Sequence, residues 1–159
     1  MAYIVDGNNV MGQIPGWHRD KSGARRKLVV QLVEFLKITR ARVAVVFDGA
    51  PDRELPAGSA FRGVKVEYAD RGSNADAKIE RLVESSKDPR GLTVVTSDRR
   101  LATSVRARGA RVVRSGEFRK MLEDARARQT EVDDDEQIQV GNVDDWFRYF
   151  GSSPDDDES

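Results

Sequence analysis

Four apolar runs in this chain head towards acidic residues. Tyr3-Ile4-Val5 stops at Asp6-Gly7-Asn8-Asn9, Val43-Ala44-Val45-Val46-Phe47 stops at Asp48-Gly49, and Leu92-Thr93-Val94-Val95-Thr96-Ser97 stops at Asp98. A fourth, Val64-Lys65-Val66-Glu67-Tyr68, leads towards Asp70 and Asp76. Short apolar runs closed by turn residues read as buried strands, with each acid delivered at a strand's C-terminal end.

Between these runs the period changes from strand-like to helical. Leu28, Leu32 and Leu36, with Val29 and Val33, form a stripe that predicts a helix over residues 23–39, with Ser22 as its cap. The preceding stretch, residues 7–22, reads as a polar loop. The basic cluster Arg25-Arg26-Lys27 sits on that helix's first turn, the unfavourable end for positive charge. It hints at a role beyond helix stability, although a solvated face is the plainer reading. A second helix begins near Asn74 with Ile79, Leu82 and Val83 inward, and Asp88-Pro89-Arg90-Gly91 ends it. Ser97 is the expected cap of a third, reaching residue 108 with Leu101, Ala102 and Val105 inward and Gly109 closing it. A short strand over 111–113 follows, and Ser115 opens a further helix with Phe118 and Leu122 four apart.

Strand and helix thus alternate, with strands over residues 42–47 and 63–68 among them. Alternation predicts a three-layer α/β/α sandwich around a mainly parallel sheet. Ligands of such sheets bind beyond the carboxyl ends of the strands, which is where the acids fall.

The 27 basic and 27 acidic residues cancel, but they are not evenly spread. Residues 1–130 carry 26 basic and 16 acidic groups, net +10, and residues 131–159 carry 1 and 11, net −10. We therefore expect a basic domain over 1–130 and an acidic tail over 131–159. In the tail Val143, Trp146, Phe147 and Phe150 have helical spacing and predict a short docking helix near 142–150, with a disordered end from 152. A basic body suits a polyanionic partner, or is simply soluble. Without cysteine there are no disulfides, thiolate zinc sites or cysteine nucleophile. No apolar run is long enough to span a bilayer, and the N-terminus enters a strand rather than a leader, so the expectation is a cytoplasmic protein with no membrane partner.

Asp6, Asp76, Asp98 and Asp48 are the candidate site. Taken singly, each is an ordinary turn or capping residue. Together, at one sheet edge, carboxylates repel unless they share protons or a cation, and an all-oxygen site suits Mg²⁺ or Mn²⁺. His18, the one histidine, sits in a polar loop, where such a residue is more often a polar surface group than a general base, and is left out of the site. Trp17 either stacks on a base or packs on the body. Gly12-Gln13-Ile14-Pro15-Gly16 lacks the Lys-Ser/Thr of a phosphate-binding P-loop.

In order and spacing, Tyr3-Ile4-Val5-Asp6-Gly7-Asn8-Asn9, Val46-Phe47-Asp48-Gly49, Asn74-Ala75-Asp76-Ala77-Lys78-Ile79 and Val95-Thr96-Ser97-Asp98 resemble the NYN domain, and within it the YacP-like branch of the PIN-like nucleases. The resemblance covers residues 2–128, and the segment 143–150 resembles the branch's C-terminal helix. It implies a PIN-like fold and a metal-dependent endoribonuclease acting in RNA processing or decay. Asp6, Asp76 and Asp98 would be the metal-binding acids, Asp48 their neighbour, and Mg²⁺ or Mn²⁺ the cofactor. RNA is the implied partner, with the ribosome a candidate for presenting it. Asn8, Thr96 and Ser97 would serve as polar neighbours of substrate or metal. Independently of the resemblance, Arg71, Arg99 and Arg100 lie beside these acids in sequence and suit phosphate oxygens, or equally form a solvated face. The rival expectation is a non-catalytic RNA-binding module whose metal site is structural or degenerate.

Overall fold

A computed structural model of the chain describes the backbone of residues 1–141 and the side chains of residues 1–129. The chain divides into two units, Met1–Arg126 and Ala127–Ser159. In chain order the elements are β1 (Ala2–Asp6), α1 (Gly7–Met11), α2 (Lys21–Thr39), β2 (Arg42–Phe47), β3 (Ser59–Phe61), β4 (Val64–Tyr68), α3 (Ala75–Glu84), β5 (Leu92–Val95), α4 (Arg99–Ala107), β6 (Arg111–Val113) and α5 (Ser115–Gly141). The sheet order is β3-β4-β2-β1-β5-β6. Every pair is parallel except β3 with β4. This is the three-layer, mainly parallel α/β/α sandwich that the alternation predicts.

The near-continuous apolar strands follow from burial on both faces. Side chains alternate across the sheet, so Tyr3, Val5, Val43, Val45, Val64 and Val66 join α2 and the start of α5 in one core. Ile4, Val46 and Val94 turn the other way and meet Ile79, Val83, Leu101 and Val105 of α3 and α4. On the first face Tyr3, Phe35 and Phe118 stack edge to face, with Tyr3–Phe35 and Phe35–Phe118 centroids 5.1 and 5.3 Å apart.

Several local expectations are corrected. Residues 7–22 are not all loop: α1 starts directly after β1 and buries Val10 and Met11, and a turn of 3₁₀ helix spans Trp17–Arg19. Asp20, rather than Ser22, caps α2 by accepting from the Gly23 N–H at 3.0 Å, while the Ser22 hydroxyl donates to Asp52 Oδ1 at 2.7 Å. Asp98, rather than Ser97, caps α4. The antiparallel edge strand β3 was not expected from its three residues. Trp17 is partly buried against the first core, the packing alternative for that ring.

The run Asp133-Asp134-Asp135-Glu136 lies in the helical backbone of α5. The expected docking helix at 142–150 and the disordered end lie outside the described residues. Among the described residues no helix is long and apolar enough to cross a membrane.

Candidate active site

The parallel register aligns the strand exits. Asp6 is paired across to Val46, and Val5 to Val95, so the chain leaves β1, β2 and β5 at one edge. Asp6 is the last residue of β1 and is 4% exposed. Asp48 follows β2, Asp76 is the second residue of α3, and Asp98 stands between β5 and α4. The four acids therefore come from four separate segments to the carboxyl end of the sheet.

Thr96 joins two of them. Its hydroxyl donates to Asp6 Oδ2 at 2.9 Å and accepts the Asp98 N–H at 3.1 Å. Asp98 Oδ1 in turn accepts the N–H groups of Arg100 and Leu101 at 2.9 and 3.1 Å, so one of its two oxygens is used as the helix cap. Asp48 Oδ1 accepts the Ala75 N–H at 2.7 Å, where α3 begins and its dipole favours negative charge.

Electrostatics reflect the crowding. Burial pushes the Asp6 carboxyl up to about 7; the Thr96 hydroxyl opposes the rise, the charges of Asp76 and Asp48 add to it, and the Asn9 backbone opposes it. Asp76 is raised to about 6, first by burial, then by the charge of Asp98 and a hydrogen bond to it, then by Asp48 and Glu80. At neutral pH this edge thus favours either protons or a cation. Its all-oxygen donor set suits Mg²⁺ or Mn²⁺. Among the described residues, no three carboxylate or imidazole groups stand ready-gathered around one metal position.

The two asparagines after Asp6 hold the flanking strand exits. Asn8 Oδ1 accepts the Asp48 N–H at 2.9 Å on the β2 side. Asn9 Oδ1 accepts the Ser97 N–H at 2.8 Å and the Ser115 hydroxyl on the β5 side. Ser97 Oγ accepts the Ser115 N–H at 3.1 Å, so Ser97 is tied to the scaffold through both its N–H and its hydroxyl. Gly7 makes this turn possible, since a Cβ there would sit 2.5 Å from the Phe47 ring.

Arg71, in the turn before α3, and Arg99, the first residue of α4, are exposed, and neither guanidinium has an ion-pair partner among the described residues. Arg81 is engaged with Asp70 at 2.6 Å.

Three further residues contribute to the site: Asn9, Ser115 and Arg25. Asn9 stood in the first motif without a role, and Ser115 was read only as a helix start. For Arg25 the basic cluster hints at a role beyond helix stability with a solvated face the plainer reading, and burial overturns the latter: the residue is 6% exposed and donates to the Asp48 carbonyl. Its signal was the misplaced charge at the start of α2.

The profile of the YacP-like NYN domain matches residues 3–146. Among solved structures, the chain is similar to Rae1 (YacP) from Bacillus subtilis at 23% identity and a TM-score of 0.73, covering 87% of this chain and 83% of that one. A mutant form of the same protein aligns at 26% identity and a TM-score of 0.63, over 80% and 77% of the two chains. No curated protein matches the chain. With the profile spanning nearly all of the described residues, this chain belongs to the YacP-like NYN domain family.

Proposed function

We propose that this protein is a metal-dependent endoribonuclease, with Asp6, Asp76 and Asp98 holding Mg²⁺ or Mn²⁺. The observation that carries the reading is the convergence of four acids at one sheet edge, two of them with raised proton affinity. Membership of a nuclease-type family supports it. A divalent ion held there supplies charge that orients a phosphodiester and acidifies an attacking water. The chain's own residues do the rest. Thr96 keeps the Asp6 carboxyl in place and ties it to Asp98. Asp48 holds the start of α3, and with it Asp76. Asn8, Asn9 and Ser97 keep the three exits in register, and the guanidinium groups of Arg71 and Arg99, which have no ion-pair partner among the described residues, are available to phosphate oxygens.

The second reading, an RNA-binding module with a structural or degenerate metal site, draws on the absence of a ready-gathered trio of ligands among the described residues. Cleavage of a mixed pool of structured and single-stranded RNA in Mg²⁺, Mn²⁺ or EDTA, with and without ribosomes, separates the two. The nuclease reading expects cutting in metal and none in EDTA. Binding without cutting under every condition favours the module.

A further inference from the structure

We infer that Arg25 is a positioning residue of the acidic site, acting through Asp48 and the start of α3 on Asp76. The inference rests on the reading of these acids as the nuclease centre, but its geometry is independent of that reading.

Arg25 is the fifth residue of α2 and is buried. Its two short hydrogen bonds do not go to its counter-charge. Nη2 donates to the Asp48 carbonyl at 2.6 Å and Nη1 to the Ala50 carbonyl at 2.9 Å. Asp52 Oδ2 is 3.4 Å from Nη1, and Nε has no hydrogen-bond partner among the described residues. An arginine retained only to neutralise Asp52 would turn its planar fork onto that carboxylate, where two parallel bonds are available. This one is aimed at backbone. The rings of Phe47 and Tyr68 hold it there, with centroids 5.4 and 5.1 Å from the guanidinium carbon.

Gly49 completes the clamp. At φ +88° it folds the chain so that the carbonyls on either side face one guanidinium, and a Cβ at this position would lie 3.2 Å from Nη2. Asp48 is consequently fixed at three points: its N–H by Asn8, its carbonyl by Arg25, and its carboxylate by the Ala75 N–H. Ala75 is the first residue of α3 and Asp76 the second. A shift of the Asp48 backbone therefore moves the start of the helix that carries an acid of the site. Misplacement of a reacting group by about 1 Å costs on the order of a hundredfold in rate.

The test follows the Ala75 amide by NMR alongside RNA cleavage, in Arg25→Lys and Asp52→Asn. A lysine retains the charge but cannot bridge two carbonyls as a fork does. For Arg25→Lys we expect the Ala75 amide resonance to move and to exchange on the order of tenfold faster. Turnover should fall roughly ten- to a hundredfold, with KM within about twofold of wild type. Asp52→Asn should leave the amide and turnover within about twofold. An unperturbed Ala75 amide in folded Arg25→Lys overturns the inference. So does an Asp52→Asn variant as impaired as Arg25→Lys, because the ion pair would then be the working element. Should Arg25→Lys not fold, Gly49→Ala presses on the same guanidinium from the other side and gives the same readout. The Ala75 amide reports on the clamp even in a chain that cuts no RNA, so failure of this inference and failure of the nuclease reading remain distinct.

Discussion

The Thr96 hydroxyl donates to Asp6 Oδ2 at 2.9 Å, joining two residues 90 positions apart in the chain. The same oxygen accepts the Asp98 N–H, so a single hydroxyl links the exits of β1 and β5. Thr96→Val keeps the side-chain shape and removes the link. We expect a loss of about 1–3 kcal/mol in urea unfolding, because the buried partners are left without their bonds. Asp6 should also titrate higher in ¹³C carboxyl NMR, since the bond that opposes its raised pKa is gone.

Asp6 and Asp76 make the metal-free protein sensitive to pH. Asp6 moves from an ordinary 3.8 to about 7, and Asp76 from 3.8 to about 6. Between those limits the folded chain holds protons that the unfolded chain has released. The stability they contribute is complete below pH 3.8 and is lost as pH rises through 6 and 7. Urea unfolding in EDTA from pH 4.5 to 7.5 should show a fall of order 1 kcal/mol per pH unit from Asp6, a slope that Asp6→Asn flattens. Added Mn²⁺ should stabilise more at high pH than at low, because the ion competes with those protons. A slope identical in wild type and Asp6→Asn would contradict the burial of that charge.

Gly7 sets how closely the turn after Asp6 approaches β2. A Cβ there would meet the Phe47 ring at 2.5 Å and the Val46 carbonyl at 2.9 Å. Gly7→Ala should cost about 1–3 kcal/mol by overpacking, and should weaken Mn²⁺ binding by displacing Asp6, both measurable by titration of the purified variant.

Phe118 tests the core of the first face, away from the acids. It is fully buried, and its ring lies 5.3 Å from Phe35 and 6.0 Å from Tyr3, so it fastens α5 to α2 and β1. Phe118→Ala should lose about 3–5 kcal/mol in a thermal or urea melt while leaving the acids in place.

The legible parts of the fold are those whose pattern follows directly from burial. β2 and β6 fall where their apolar runs predict, and Leu101, Ala102 and Val105 of α4 are inward as their spacing requires. Placing Asp6, Asp48 and Asp98 at one edge needed only strand polarity, because parallel strands share an exit. The illegible parts are short or tertiary. α1 has five residues, too few to establish a period, and β3 has three with only one large apolar side chain. Capping by Asp20 and Asp98 instead of Ser22 and Ser97 is a choice between neighbouring residues of similar capping strength. Arg25 was hidden because its partners are the carbonyls of Asp48 and Ala50, more than 20 residues away.

The most direct measurement compares wild type with Asp6→Asn/Asp76→Asn for cleavage and binding of the same RNA in Mn²⁺. An asparagine at each position keeps one side-chain oxygen as an acceptor, which at position 6 can still take the Thr96 hydroxyl, so both proteins should fold and bind RNA. If Asp6 and Asp76 hold the metal, wild type alone should cut. Equal cutting by the double mutant would contradict that assignment and place the chemistry away from the acids.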